Sequence, residues 1–119
     1  MNQGEYLHIL GLGTQEDWSA GRGSLYYIED KNGEKAMPVF TKAERANDYA
    51  KANFRSPEAH LQMLESVRVT HAPPLTAGRF SIMPLDEEGV AIAALMVGAD
   101  YLIRDPRPGY QQEIMRVPK

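Results

Sequence analysis

Three histidines, His8, His60 and His71, are the residues best suited to hold a metal or move a proton near neutral pH. No two of them stand at the i, i+4 or similarly short spacing that brings two imidazoles onto one ion, so each is expected at a surface or edge position. A serine nucleophile has no elbow motif to present it: Gly21-Arg22-Gly23-Ser24 comes nearest to Gly-x-Ser-x-Gly and does not match. Gly11-Leu12-Gly13 and Gly21-Arg22-Gly23 complete neither Gly-x-Gly-x-x-Gly nor a phosphate loop ending in Gly-Lys-Ser/Thr. Asp86, Glu87 and Glu88 open an apolar helix, where carboxylates complement the helix dipole more simply than they form an acid/base pair. Cysteine is absent, which excludes a thiolate nucleophile, a disulfide framework and iron–sulfur or Cys-zinc sites. The sequence therefore assigns no catalytic residue, no metal ligand and no cofactor.

What remains is binding chemistry. Arg104, Arg107, Arg116 and Lys119 outnumber Asp105 and Glu113 near the end of the chain, with Tyr101 and Tyr110 between them, a pattern suited to an acidic or aromatic partner. The net charge of −3, the small size of that patch and the lack of a recognition motif argue against nucleic acid. Trp18 sits in a segment, Gly11 to Gly23, whose four glycines read as one long loop. Between that loop and the Arg104-Asp105-Pro106-Arg107 turn a small-molecule pocket could form. The candidate binding residues are thus Trp18, Tyr26, Tyr27, Arg104, Asp105, Arg107 and Tyr110.

The elements that must position them follow from periodicity and punctuation. Glu5 to Leu10 is strand-like and apolar on both faces, as in a strand covered on two sides or at an intersubunit edge. Ser24 to Asp30 and Lys35 to Phe40 flank Asn32-Gly33 and form a β-hairpin. Its loop is expected to be four residues rather than two, because a two-residue loop would place Pro38 in a hydrogen-bonded pair with Tyr27 and lose a bond. Pro38 then belongs at a strand end or sheet edge. With Tyr26, Ile28, Met37 and Val39 on one face and Leu25, Tyr27 and Phe40 on the other, both faces are apolar, and the second is expected to meet another helix layer or another subunit.

Thr41-Lys42-Ala43-Glu44 has the form of a capping box, and Ala43, Ala46, Ala50 and Phe54 recur at helical spacing after it. Ser56-Pro57-Glu58 opens a second helix carrying Leu61 and Leu64. Val67 to His71 and Arg79 to Met83 read as strands, Pro84 to Gly98 as a helix, Asp100 to Arg104 as a strand and Gln111 to Val117 as a last one. The run from 79 to 104 is strand, helix, strand, the length of a right-handed crossover between parallel strands.

The order hairpin, Pro38-Val39-Phe40-Thr41, alanine-rich helix, later apolar helix and Asp105-Pro106 resembles the N-terminal domain of bacterial SseB-like proteins over about residues 24 to 106. The chain departs from that family in its single-domain length and in Pro73-Pro74. The family has no settled activity, so the resemblance implies a mixed α/β fold and carries over no catalytic residue.

An apolar fraction of 43% and a charged fraction of 24% are ordinary for a globular domain, and 119 residues suffice for one core. The longest apolar run, Val90 to Ala99, is about half of the roughly 20 residues needed to span a membrane and reads as a buried core helix. Met1-Asn2-Gln3-Gly4-Glu5 has no basic leader, so a cytoplasmic, membrane-free protein is expected. The fold class is α+β: a single small domain with a mixed β-sheet, a β-hairpin in the N-terminal half, two to three packed helices and one right-handed β-α-β crossover. The expected function is a non-enzymatic protein-interaction module that forms a homodimer or higher homo-oligomer and docks a protein partner; the alternative is a small-molecule-binding protein or small enzyme using the pocket named above.

Overall fold

The computed structural model describes residues 6–65, 68–106 and 113–118. Arg107, Tyr110 and Lys119, with the outer ends of two expected strands at Val67 and Gln111, lie outside them. Side-chain alternation along the strands builds the layers. In β1 (Leu7–Leu12), Ile9 and Leu10 point into two different apolar clusters, and both are about 1% exposed. The same alternation separates Ala36 from Met37 in β4 (Lys35–Val39). Strands β1 and β4 are covered on both faces, as the apolar character of residues 5 to 10 leads one to expect of the first.

The fold is α+β, with two sheets. Strand β1 pairs antiparallel with the short β2 (Ser24–Leu25) and with β6 (Phe80–Leu85), giving the order β2-β1-β6. The second sheet runs β5 (Val69–His71), β3 (Ile28–Asp30), β4, β7 (Tyr101–Arg104), β8 (Glu113–Arg116), with β4 and β7 parallel and the other pairs antiparallel. A reciprocal pair of 2.8 Å backbone bonds between His8 and Phe40 joins the sheets. Helices α2 (Ala43–Arg55) and α3 (Pro57–Glu65) cover one face, and α4 (Glu87–Val97) covers the other through Val90, Ala93 and Ala94.

This arrangement corrects the expected crossover. Strand, helix and strand occur in the expected order, but β6 and β7 belong to different sheets, and the parallel partner of β7 is β4. Sequence order does not reveal that a helix is passing from one sheet to the next.

The hairpin is present, with a three-residue loop at 31–33. Asp30 N–H donates to Glu34 O and Gly33 N–H to Asp30 O, both at 3.0 Å, and Gly33 takes the left-handed φ of 79° that this loop requires. Asp30 Oδ1 accepts from the N–H groups of Asn32 and Glu34, and Oδ2 accepts from Tyr101 OH at 3.0 Å, tying the turn to β7. Because the loop is one residue shorter than expected, Ile28 faces Ala36. A one-residue slip moves every side chain to the other face. Tyr26 and Ile28 therefore share a cluster with Ala36 and Phe40, while Met37 and Val39 lie in the opposite one. Both hairpin faces are covered by this chain's own helices.

Pro38 is buried in a central strand yet wastes no bond. Lys35 O and Val39 O accept from β7-side N–H groups at Asp100 and Asp105, so Pro38 looks toward β3, whose ladder has already ended at Ile28↔Ala36.

The glycine-rich loop contains a helix, α1 (Gln15–Ser19), started by a true capping box: Asp17 N–H donates to Thr14 Oγ1, and Thr14 N–H donates to Asp17 Oδ2. The buried stripe of α2 is Ala46, Tyr49, Ala50 and Asn53; Ala43 is exposed, and Phe54 is half-buried beside Phe80. Asp86 caps α4 by accepting from Gly89 N–H at 2.7 Å, and Gly98 closes it at φ 69°. α4 is not fully buried: Ile92, Leu95 and Met96 are 52, 65 and 74% exposed. No helix among the described residues is long and apolar enough to cross a membrane.

Candidate binding cleft

The end of β4 and the end of β7 meet at one carboxylate. Thr41 N–H donates to Asp105 Oδ1 at 2.9 Å, Thr41 Oγ1 donates to Asp105 Oδ2 at 2.8 Å, and Arg45 Nη1 reaches the same Oδ2 at 2.6 Å. Arg45 Nη1 also donates to Thr41 Oγ1 at 3.1 Å, closing a triangle. This overturns the expected capping box at Thr41. The N-cap of α2 is Lys42, which makes no side-chain capping bond, and the Thr41 N–H that Glu44 was to reach is held by a residue 64 positions later.

Asp105 adopts φ 44°, a left-handed conformation that Asp tolerates better than most residues, immediately before Pro106. Such a conformation persists where surrounding bonds over-determine it. Burial alone would raise the Asp105 pKa, but the Thr41 N–H and hydroxyl and the Arg45 guanidinium together hold it below the ordinary carboxylate value.

Around this clamp lies a cleft of about 210 Å³ lined by Phe40, Arg45, Asp48, Tyr49, Ala52, His60, Met63, Asp105 and Pro106. Helix α2 supplies Arg45, Asp48, Tyr49 and Ala52, which recur at i, i+3, i+4 and i+7 and so share a face. His60 and Met63 come from α3. The cleft opens at the carboxyl ends of the parallel strands β4 and β7, beside the helix that follows β4, the place where sheets of this kind commonly receive ligands.

Its inner wall is a connected set of buried rings and polar groups. Tyr49 meets Phe40 edge-on at 5.5 Å and His60 at 4.4 Å between centroids, and its hydroxyl lies 3.2 Å from that of Tyr26. His60 Nδ1 is 3.3 Å from Asn53 Nδ2; since the amide nitrogen can only donate, Nδ1 accepts and the ring proton sits on Nε2. Asn53 Oδ1 accepts from Leu75 N–H at 2.7 Å, and its Nδ2 also reaches Pro73 O at 3.4 Å. Burial raises the pKa of Tyr26 and Tyr49 and lowers that of His60, so all three are neutral near pH 7.

Of the expected binding residues that are described, only Asp105 lines the cleft. Tyr26 is 1% exposed and belongs to the core. Tyr27 is half-buried on the hairpin, under Lys35 Nζ at 4.9 Å from its ring centroid. Trp18 lies against Gly11 and Gly23, where a Cβ would stand 2.9 and 2.2 Å from its ring, and it is not among the residues that line this cleft. Arg104 pairs with Glu113 across β7 and β8, and Arg116 with Glu34, so two of the four tail cations are already engaged. His71 is exposed, as expected, but His8 is half-buried in the central strand β1, where the two sheets join, and His60 is 3% exposed, so neither holds the surface or edge position expected of it. Sequence reasoning missed Arg45, Asp48, Tyr49 and His60. The signal was the i, i+3, i+4, i+7 row on α2, outshone by the neighbouring alanine row. The chain matches no family and no curated protein.

Proposed function

We propose that this chain is a non-enzymatic protein-interaction module that receives a side chain of a partner in the α2–α3 cleft. The observation that carries the reading is the cleft's size and lining: about 210 Å³, below the roughly 300–1,000 Å³ of pockets for whole small molecules, with an apolar interior of Phe40, Tyr49, Ala52, Met63 and Pro106. Its strongest polar groups are engaged with one another, since Asp105 holds Thr41 and Arg45. This favours the interaction reading over the small-molecule or enzyme alternative, which needs convergent free polar groups.

Ala52→Trp fills the cleft from its α2 wall, at a half-buried position. Capture from the native host with unmodified protein and with Ala52→Trp, at equal melting temperature, is expected to lose a defined subset of bound proteins in the variant. An identical bound set would overturn the reading.

Self-association is a second part of the proposal, supported by Ile92, Leu95 and Met96 at i, i+3 and i+4 on α4, each more than half exposed. A second copy is the occupant inferred for this face. Light scattering should show a dimer or larger species that Leu95→Glu with Met96→Glu converts to monomer; a monomer at tens of micromolar, on the order of a working assay concentration, would contradict it.

A further inference from the structure

We propose that the cleft selects a basic side chain, lysine or arginine, presented by the partner protein. This rests on the reading of the cleft as a docking site and adds the chemistry of what docks. Among the described residues, two carboxylates and one guanidinium line the cleft, and Arg45 Nη1 sits 2.6 Å from Asp105 Oδ2, pairing one of each. Asp48 is the remaining charge among the described lining residues. It is exposed on α2, one turn beyond Arg45, and has no hydrogen bond or ion pair among the described residues. His60 is neutral near pH 7 because burial lowers its pKa, so it does not offset that charge.

The lining suits a cation on an aliphatic stem. Ala52, Met63 and Pro106 offer apolar contact to methylene groups, Phe40 and Tyr49 add aromatic surface, and Asp48 accepts the charged end. An acidic side chain would meet one surplus negative charge. A neutral aliphatic side chain would fill the space and leave Asp48 without a partner. Charge complementarity thus separates three occupants of similar size.

The test uses N-acetyl-lysine methylamide, its arginine counterpart, and the norleucine and glutamate counterparts as neutral and acidic controls, titrated into the full chain and followed by amide chemical shifts. The lysine and arginine probes are expected to shift residues 45–52 and 60–63 and to bind about tenfold more tightly than norleucine, with the glutamate probe weaker still. Asp48→Asn, an exposed substitution, should remove the preference without unfolding the chain. Equal binding of lysine and norleucine probes at the cleft would overturn the charge selection while leaving the cleft as a docking site. Shifts confined to other surfaces, or none with any probe, would overturn both.

Discussion

Helices α2 and α4 lie on opposite faces of the sheets and are held by opposite means. α2 is rich in charge, yet it buries Tyr49 and Asn53 and is fixed by polar bonds to distant residues: Asn53 to the backbone at Leu75 and Pro73, Arg45 to Asp105. α4 is apolar around most of its circumference, is closed by its own local caps, and seats only Val90, Ala93 and Ala94 while Ile92, Leu95 and Met96 face outward. The comparison separates two kinds of surface. A polar helix braced by long-range bonds can carry a shaped cleft, because its side chains are positioned independently of solvent. An apolar helix with a bare face offers area without shape.

The sharpest way to break this contrast is at Asn53. Asn53→Leu keeps the volume but strands the buried Leu75 N–H and the His60 ring nitrogen, and should cost about 3 kcal/mol in denaturant unfolding. A loss near zero would mean that α2 does not depend on its polar brace. Asp105→Ala comes next, at about 2 kcal/mol, since it leaves Thr41 N–H and the Arg45 guanidinium without their shared acceptor and removes a residue that tolerates φ 44°. Asp105→Asn should cost less, because it retains both the conformation and an acceptor.

Thr41→Ala removes one hydroxyl bond and should cost about 1 kcal/mol, whereas Glu44→Ala should stay within about 0.5 kcal/mol. A capping box would make both costly, so the pair distinguishes local capping from the long-range clamp. Acid should act on the α2 side in two steps. The folded pKa of His60 lies below its ordinary value of 6.5, so the unfolded chain binds the extra proton and stability falls as the pH drops below about 6.5. The folded pKa of Asp105 lies below 3.8, so its contribution is full above that value and is lost as the pH falls through the folded pKa. In His60→Gln the upper step should vanish from unfolding curves recorded between pH 7.5 and 5. The smallest expected change is on α4, where Leu95→Glu should alter monomer stability by no more than about 0.5 kcal/mol.

The same contrast explains what the residues disclosed. Local chemistry was legible: Asn32-Gly33 marked the hairpin and Gly98 closed α4, because each signal and its bond lie within four residues; the expected start of that helix at Pro84 was too early, since Pro84 and Leu85 finish β6 and Asp86 is the cap. Features whose partners are remote were not. Thr41 and Glu44 have the spacing of a cap, and a carboxylate 64 residues away takes the Thr41 N–H instead. One residue of loop length moved Tyr26 into the cluster with Phe40 and away from Met37, and the helices then covered both hairpin faces. Of the candidate site, Asp105 was legible through its place in a turn; Asp48 and His60 acquire meaning only when α2 and α3 pack side by side. The apolar run in α4 suggested burial, but a helix on an outer layer has one neighbour, and the rest of its surface faces out.

The most direct test joins the two faces in one binding experiment. The affinity of a partner captured through the cleft should be measured by calorimetry for the unmodified chain, for Ala52→Trp, and for Leu95→Glu with Met96→Glu, with mass determined by light scattering in parallel. Blocking the cleft is expected to weaken partner binding by at least about tenfold and leave the oligomer intact, while the α4 variant dissociates the oligomer and retains partner binding within about twofold. Partner binding unchanged in Ala52→Trp would contradict the cleft as the docking site.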